Sequence, residues 1–261
     1  NGLISNAIGD IVFDRRGRLW AGCRDGLARI DGGQLSSYEF RGKKSHAMTV
    51  DREGSIWIGT YQHGLYRFGD GRFRSFRNKR HLREAVVGRA AIKWRDGFIV
   101  GTNLGLFEIE GGHLVGSERF EALANVLVRQ LKPAANGGIW VASHTHGVAK
   151  IQPDGLIEWI QTTEGLRSNT VRAVLESKDG TVWMGTSNGL DYLKDGEVRA
   201  FHEISDFPIL TLHQWKDGTI FVGTDGDGYY LVGGDQVEHV TRKDGFPSDI
   251  VFYGFEDRSG L

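Results

Sequence analysis

The sequence predicts an all-β protein, a β-propeller built from four-stranded antiparallel blades. Three observations lead to this prediction. One phrase recurs at intervals near 40 residues, the 261 residues include 38 glycines but only 4 prolines, and no stretch keeps a 3.6-residue apolar period. Glycine-rich turns between short β-rich runs are typical of all-β repeat architectures. We therefore expect essentially no helix.

The recurring phrase has the form D-x-x-G-x-[LIV]-W-[IVAM]-G-T-x-x-G-L. Its tryptophan position is occupied by Trp20, Trp57, Ile99, Trp140, Trp183 and Phe221. The successive intervals of 37, 42, 41, 43 and 38 residues fit one supersecondary unit per copy with loops of variable length. A four-stranded sheet hides both of its faces only when copies stack radially. We expect the tryptophan to be buried between neighbouring blades and the Gly-Thr pair to allow close approach of strands.

Each copy is predicted to hold four short strands, which in the first copy span residues 7–14, 18–23, 26–30 and 34–40. Asp-Gly and Gly-Gly pairs between such runs favour tight hairpins. We predict a single domain over residues 1–261, with repeats at about 2–40, 41–78, 79–120, 121–162, 163–202, 203–241 and a partial one at 242–261.

The partial repeat supplies only the first strand of a seventh blade, Ile250–Asp257. The prediction is therefore six complete blades plus this strand, from a seven-bladed or truncated ring, with a six-bladed ring as the alternative. Since the first residue is Asn1 rather than Met, we expect the chain to be a processed or excised piece of a longer protein.

Composition excludes several classes of protein. The chain has 32 Lys+Arg and 33 Asp+Glu, and a net charge of -1 gives no general attraction to nucleic acid. A basic run interleaved with aromatic residues is interpreted as a solvated strand edge; it contains Arg72, Arg74, Arg77, Lys79, Arg80 and Arg83. No apolar run is long enough to enter a membrane. The single cysteine, Cys23, excludes an internal disulfide framework.

Two segments resemble the two-component regulator propeller repeat, whose pattern is roughly G-L-[PS]-S-N-x-V-x-x-I-x-x-D-x-x-G-x-L-W-I-G-T-x-x-G-L-x-R-x-D. They are Gly2–Asp31 and Gly165–Leu190, and the opening phrase returns at Gly245–Asp249. The resemblance implies the periplasmic sensor part of a bacterial hybrid histidine kinase or diguanylate cyclase. It also implies an output kinase or cyclase domain in the same full-length chain.

A row of basic residues is the candidate ligand site. Propellers bind ligands at the mouth of the central channel, which the innermost strands line. When the first strands are aligned on their turn glycine, the position eight residues before it holds Gly9, His46, Arg89, Arg129, Arg172, Leu210 and Phe252. Arginine binds carboxylate, sulfate or phosphate bidentately. We predict an anionic ligand, for instance an acidic or sulfated sugar, at the four basic positions. Alternatively, each arginine pairs with a local acid such as Glu84, Glu121 or Glu176.

The loops between the second and third strands of the even-numbered blades hold weaker candidates for a metal site. These are His63, His144, His146 and Asp225. The two histidines spaced i, i+2 could point the same way and ligate a metal. Histidines in exposed loops are more often solvated, so the sequence predicts no cofactor.

The leading prediction is a non-enzymatic module of a bacterial signalling protein that senses a ligand or packs against a partner, with a homodimer as one possibility. Two alternatives stay open. One is a metal-dependent enzyme, because propellers resembling virginiamycin B lyase share the G-x-L-W rhythm and place a histidine and acids at the channel mouth. The other is a structural scaffold for protein interactions.

Overall fold

The structure is a computed structural model that describes residues 3–5, 7–40, 44–51, 53–60, 63–76, 90–95, 97–110, 113–234, 236–254 and 256. Within these residues, 24 strands form six four-stranded sheets, and strands consecutive in the chain are neighbours in each sheet. This arrangement confirms the predicted all-β class. Each sheet, here called a blade, lies inside one predicted repeat; the extent of a single domain over 1–261 stays a prediction.

The strand bounds follow the turn residues closely. Blade 1 consists of β1 (Ile8–Phe13), β2 (Leu19–Cys23), β3 (Gly26–Asp31) and β4 (Gln34–Glu39). Blade 2 consists of β5 (Ser45–Val50), β6 (Ile56–Thr60), β7 (Gly64–Gly69) and β8 (Arg72–Phe76). Blade 3 consists of β9 (Ala90–Trp94), β10 (Gly97–Thr102), β11 (Gly105–Glu110) and β12 (His113–Gly116).

The remaining three blades repeat the same order. Blade 4 consists of β13 (Val128–Pro133), β14 (Ile139–Ser143), β15 (Val148–Ile151) and β16 (Ile157–Ile160). Blade 5 consists of β17 (Val171–Glu176), β18 (Val182–Thr186), β19 (Gly189–Lys194) and β20 (Glu197–Ala200). Blade 6 consists of β21 (Ile209–Gln214), β22 (Ile220–Thr224), β23 (Tyr229–Gly233) and β24 (Gln236–Val240).

The chain divides into two compact units, residues 1–128 and 129–261. In the first unit, one apolar cluster joins Trp20 and Leu27 of blade 1 to Ile56 and Phe68 of blade 2. In the second unit, equivalent clusters join blade 4 to blade 5 and blade 5 to blade 6. The apolar core therefore lies between blades rather than within them, as the radial stacking of short sheets requires.

The recurring glycine of the Gly-Thr pair marks the point where the next blade approaches. A Cβ added to Gly185 would lie 2.7 Å from Ile209 Cγ2, and one added to Gly22 would overlap Ser45. Ile209 and Ser45 are both the first residue of the following blade's innermost strand. Only glycine leaves room for this contact, which confirms the close approach that the sequence predicted.

The hydroxyl group that follows this glycine closes the loop to the third strand. In blade 5, Thr186 Oγ1 donates to the Gly189 carbonyl oxygen at 2.9 Å and accepts from the Asn188 N–H at 3.0 Å. Thr60, Thr102, Ser143 and Thr224 make the corresponding donation in blades 2, 3, 4 and 6. The hydroxyl adds a second hydrogen bond to this carbonyl, which in blades 4 and 6 also accepts from the backbone N–H of Ser143 and Thr224.

Replacement of Thr186 by valine is expected to lower the free energy of unfolding by about 1–2 kcal/mol, because the isosteric apolar side chain removes one hydrogen bond to the Gly189 carbonyl and leaves the Asn188 N–H without its acceptor. Chemical denaturation followed by circular dichroism measures the loss. Thr186→Ser keeps both hydrogen bonds and serves as the control. Equal stabilities of Thr186→Val and the wild type would show that the hydroxyl contributes nothing.

In the part of the chain that the structure describes, three short 3-10 helices depart from the expectation of essentially no helix. They are Glu118–Leu123, Thr162–Glu164 and Arg242–Asp244, and each lies in a connection between blades or at the end of blade 6. The helix at Thr162–Glu164 has a capping box with Gln161 and ends at Gly165, whose φ is 111°. Helices of three to six residues are too short to produce an apolar period, so the periodicity of the sequence does not show them.

The segment after blade 6 occupies the place of a further first strand. Val251 N–H donates to the Thr224 carbonyl at 2.9 Å, and Glu256 Oε2 accepts from the Lys216 N–H at 2.7 Å. Glu176 and Gln214, at the ends of β17 and β21, accept in the same way from the turn of the preceding blade. The described residues of this segment form one isolated bridge, between Ile250 and Asp225, rather than the regular strand predicted over Ile250–Asp257.

The described part of the chain has no helix with the length and apolar content of a membrane span.

Candidate functional site

The aligned basic position of the innermost strand is a β-bulge. In blade 5 the pairing with β18 steps from Val171 directly to Ala173, which leaves Arg172 as the extra residue. The same irregularity leaves Gly9, His46 and Leu210 as the extra residues of blades 1, 2 and 6. A bulge re-aims one side chain out of the alternation of a strand. The alignment on the turn glycine therefore selected a position with a special backbone geometry, which was not evident from the sequence.

The structure describes two of the four predicted anion-binding side chains. Arg129 and Arg172 both lie in the second unit, at the start of the innermost strands of blades 4 and 5. Arg89 lies outside the described residues, and His46 is described only as a backbone position in β5. The continuation of the basic row to His46 and Arg89 therefore stays a prediction.

Arg172 faces the first residue of a loop in the neighbouring blade. Its Nη1 lies 3.6 Å from Asp225 Oδ2, and the two side chains are 36% and 37% exposed. At this distance the contact is an ion pair without a short hydrogen bond. The Arg172 Nε is buried and has no hydrogen-bond partner among the described residues. The Arg172 guanidinium thus has a nitrogen that no described residue uses as a hydrogen-bond donor, and its side chain is partly exposed to solvent.

Arg129 has a different partner in its own blade. Its Nη2 lies 3.0 Å from His144 Nδ1, which accepts the hydrogen bond when the imidazole is neutral. His144 follows β14 as Asp225 follows β22, so both partners come from the first position of the loop between the second and third strands. Arg172 thus pairs with an acid, as the alternative expected, although the acid is Asp225 of the next blade; Glu176 instead accepts from the Ala135 N–H and from Trp140.

The weaker metal candidates have other partners or lie apart from a cluster. His146 Nδ1 shares a hydrogen bond of 2.8 Å with Thr145, His144 contacts Arg129, and Asp225 contacts Arg172. His63 is exposed. Within the described ranges, no three His, Cys, Asp or Glu side chains are close enough to hold a metal ion.

The basic run of blade 2 is described only in part. Arg72 and Arg74 are exposed on β8, the outermost strand of the blade. This location agrees with the solvated edge inferred from the sequence. Arg77, Lys79, Arg80 and Arg83 lie outside the described residues.

A network around the repeated tryptophan is a feature that the sequence reasoning missed. The Trp20 indole N–H donates to Asp14 Oδ2 at 2.9 Å, and the Arg29 guanidinium lies 5.8 Å from the centroid of the indole ring. Burial alone would raise the pKa of Asp14, but hydrogen bonds from Trp20 and Arg18 hold it below its usual value. The aspartate thus remains charged between a tryptophan and an arginine.

The same two partners recur in blades 2 and 4. Trp57 donates to Asp51 at 2.9 Å and lies under Arg67, whose guanidinium is 5.8 Å from the ring centroid. Trp140 donates to Glu176 of blade 5 at 2.7 Å, and Lys150 Nζ lies 4.9 Å from the centroid of its ring. In every case the cation is the cross-strand neighbour on the third strand. In the sequence, a basic residue nine or ten positions after each of these tryptophans is the pattern that could have indicated the cation.

A buried ion pair anchors the connection that leads into blade 5. Arg167 donates through Nε to Asp191 Oδ1 at 2.7 Å and through its backbone N–H to Asp191 Oδ2 at 2.9 Å. Asp191 is fully buried, while Arg167 also contacts the exposed Asp206. Burial raises the pKa of the Asp191 carboxyl, against the opposing hydrogen bonds from Arg167. The pair fixes the Gly-Leu-Arg-Ser phrase against β19.

Comparisons with known proteins agree with this geometry. The family description for two component regulator propellers matches residues 2–25, 39–62 and 165–188. A search of curated protein sequences found no significant match. Among solved structures, the chain is similar to the extracellular domain of a hybrid two component system from B. thetaiotaomicron, with 20% identity and a TM-score of 0.82. The match covers 99% of this chain and 38% of that domain.

Two further structures share the fold. A second extracellular domain of a hybrid two component system from B. thetaiotaomicron is 19% identical, with a TM-score of 0.81, over 100% of this chain and 37% of that one. Virginiamycin B lyase from Staphylococcus aureus is 11% identical, with a TM-score of 0.75, over 90% of this chain and 84% of the lyase. The chain thus spans well under half the length of the two extracellular domains.

These findings define a β-propeller of four-stranded blades with a partly open arginine position on the innermost strands. Three segments of the chain match the two component regulator propeller family.

Proposed function

We propose that this propeller is a non-enzymatic ligand-sensing module of a bacterial signal-transduction protein, and that it recognises an anionic saccharide through Arg129 and Arg172. The module would lie on the periplasmic or extracellular side of the membrane. Its output kinase or cyclase domain would lie elsewhere in the full-length chain, and two copies could pair on signalling. The repeat family and the fold shared with extracellular domains of two component systems support this class.

The contact between Arg172 and Asp225 is the observation that carries the ligand proposal. An ion pair that is about a third exposed and 3.6 Å long contributes little to stability, because water screens both charges. Its guanidinium has a further buried donor that the described residues do not use. A ligand carboxylate or sulfate could accept two parallel hydrogen bonds from such a fork. Arg129, at the same strand position of the preceding blade, would add a second positive charge.

The test is isothermal titration calorimetry with oligogalacturonate, an acidic saccharide, and with its methyl ester, which is neutral. We expect the acid to bind and the ester not to bind. Arg172→Gln and Arg129→Gln should each weaken binding of the acid about ten- to a hundredfold, since a charged hydrogen bond is worth about 1.5–3 kcal/mol. Thermal shift measurements with the same two ligands provide an independent readout.

Arg242→Gln is the matched control, because Arg242 is an exposed arginine after blade 6. It should bind the acid as the wild type does. The ligand proposal fails if the acid and the ester bind equally, or if the Arg172 and Arg129 variants keep the wild-type affinity. If a sulfated oligosaccharide binds and oligogalacturonate does not, the arginine site stands and the ligand's acidic group is a sulfate rather than a carboxylate.

A metal-dependent lyase is not favoured by any contact in the described residues. The likeness to virginiamycin B lyase concerns the fold at 11% identity. His144 and Asp225 contact arginines, and a cation at these atoms would have to displace those contacts. A protein-interaction scaffold is the remaining alternative, and failure of every anionic ligand would favour it.

A further inference from the structure

Two blade pairs have a cleft at the same structural position. In the first unit, the cleft between blades 1 and 2 is small, about 170 Å³, and its lining includes Trp20, Arg29 and Phe68. In the second unit, the opening between blades 5 and 6 is about 1140 Å³, and we call it the blade 5–6 groove. Its lining includes the corresponding residues, Trp183, Tyr192 and Val232.

The size difference follows from the residues at matched positions. Phe68 is the cross-strand partner of Ile56, and its ring centroid lies 5.7 Å from that of Trp20, which closes the cleft in the first unit. Val232 is the partner of Ile220, so a smaller side chain occupies the same place in the blade 5–6 groove. Trp20 is accordingly 4% exposed, whereas Trp183 is only partly buried.

Among the described residues, Trp183 lacks both kinds of partner that Trp20, Trp57 and Trp140 have. Its cross-strand neighbour is Tyr192 rather than an arginine or lysine, and the two ring centroids lie 5.6 Å apart. Ser177 stands in the position of Asp14 and Asp51, and its hydroxyl bonds instead to Asp179 and the Thr181 carbonyl. The Trp183 indole N–H therefore has no acceptor among the described residues.

The residue in the next blade that corresponds to Glu176, the acceptor of the Trp140 N–H, does not accept from Trp183 either. This residue is Gln214, which accepts from the Lys178 N–H and donates to the Gly218 carbonyl. Trp183 is consequently a tryptophan at the edge of a wide groove, with its usual cation and its usual carboxylate both missing.

The lining of the groove has four basic side chains and four carboxylates, Asp179, Asp195, Glu203 and Asp217. Two of the basic side chains pair with carboxylates outside the lining, Arg199 with Glu197 and Lys216 with Glu256. Asp195 and Glu203 take part in neither of these pairs. His202, another lining residue, interacts with the buried Asp191. Because Arg199 and Lys216 pair outside the lining, the four carboxylates of the groove outnumber its other two cations, Lys178 and Lys194.

We propose that the blade 5–6 groove is a docking site for a polypeptide segment of a partner protein that places an arginine or lysine side chain over Trp183. In blades 1, 2 and 4 the third strand already places a cation over the indole, at 4.9–5.8 Å from the ring centroid. A cation over tryptophan is attracted by the ring. The partner would supply the group that Tyr192 replaces, and Asp195 and Glu203 would attract it.

The experiment follows the indole N–H resonance of Trp183 by two-dimensional 15N NMR, assigned by its loss in Trp183→Phe. The probes are acetyl-Gly-Ser-Arg-Ser-Gly-amide, the same peptide with citrulline in place of arginine, and maltose. We expect a saturable shift with the arginine peptide and about three- to thirtyfold weaker binding of the citrulline peptide, since only the cation differs. Maltose should leave the resonance unchanged.

Two variants give blades 5 and 6 the side chains found at the matched positions of blades 1 and 2. Tyr192→Arg supplies the cation within the chain, and Val232→Phe fills the groove as Phe68 does between blades 1 and 2. Both should abolish the shift with the arginine peptide while keeping the circular dichroism spectrum of the wild type. Arg172→Gln should leave peptide binding unchanged, which separates this site from the anion site. Equal binding of the citrulline peptide, binding of maltose alone, or full binding to both Tyr192→Arg and Val232→Phe would overturn the proposal.

Discussion

Replacement of Arg167 by leucine is expected to lower the free energy of unfolding at neutral pH by about 3–5 kcal/mol. The change removes the guanidinium that pairs with Asp191, a carboxylate that has no exposed surface, and keeps only the backbone N–H of residue 167 as a donor to it. A buried charge without a partner costs far more than the net contribution of the intact pair. Urea denaturation at pH 7 measures the effect. Arg199→Leu, at an exposed arginine that also pairs with a carboxylate, should show no measurable loss.

The loss in Arg167→Leu should shrink in acid. Burial already raises the pKa of Asp191, and the lost guanidinium would raise it further. A carboxyl whose pKa is higher in the folded state than in the unfolded state contributes stability below its unfolded pKa, and loses it as the pH rises through the folded pKa. The variant should therefore recover part of its stability as the pH falls toward about 4. A loss that stays constant from pH 7 to pH 4 would show that packing, not the buried charge, is responsible.

The second large effect is expected for Trp140→Ala, which should lose about 3–5 kcal/mol of unfolding free energy. Trp140 is 2% exposed, and its removal leaves a cavity between blades 4 and 5. It also deprives Glu176 of the indole N–H and Lys150 of its aromatic face. The decrease is measured by chemical denaturation, with Trp140→Phe as an intermediate case that keeps the ring but not the N–H.

Trp183→Ala is the matched comparison for Trp140→Ala. Trp183 is partly exposed and has neither a cation on its face nor an acceptor for its N–H among the described residues, so its removal should cost no more than about half as much. A loss at Trp183 as large as that at Trp140 would contradict the inference that blade 5 keeps its tryptophan for an external partner.

Much of the fold followed from local sequence. Glycines at fixed offsets set the hairpins, so the strands of blade 1 were predicted to within a residue of their observed bounds. The repeat interval placed each tryptophan on the second strand, and Trp20, Trp57 and Trp140 are buried between blades as expected. These features depend on turn chemistry and strand alternation, which act over a few residues.

The candidate site was predicted only in outline. The alignment identified Arg172 as one member of a row, but not that a β-bulge lies at this residue or that Asp225 reaches it from the next blade. His144 was considered as a metal ligand, and the structure places its Nδ1 beside Arg129. Such partners are 15 to 53 positions apart in the chain, and no local pattern states which loops meet.

The sequence by itself determined the repeat, the four-stranded blade and the all-β fold class. Each blade is specified by residues within one interval of about 40 positions. The tertiary structure decided which tryptophan has a cation and a carboxylate and which does not. That difference arises between neighbouring blades: Phe68 closes one cleft, and Val232 leaves the corresponding groove open. The free energy of such contacts depends on side chains brought together only after the blades have packed.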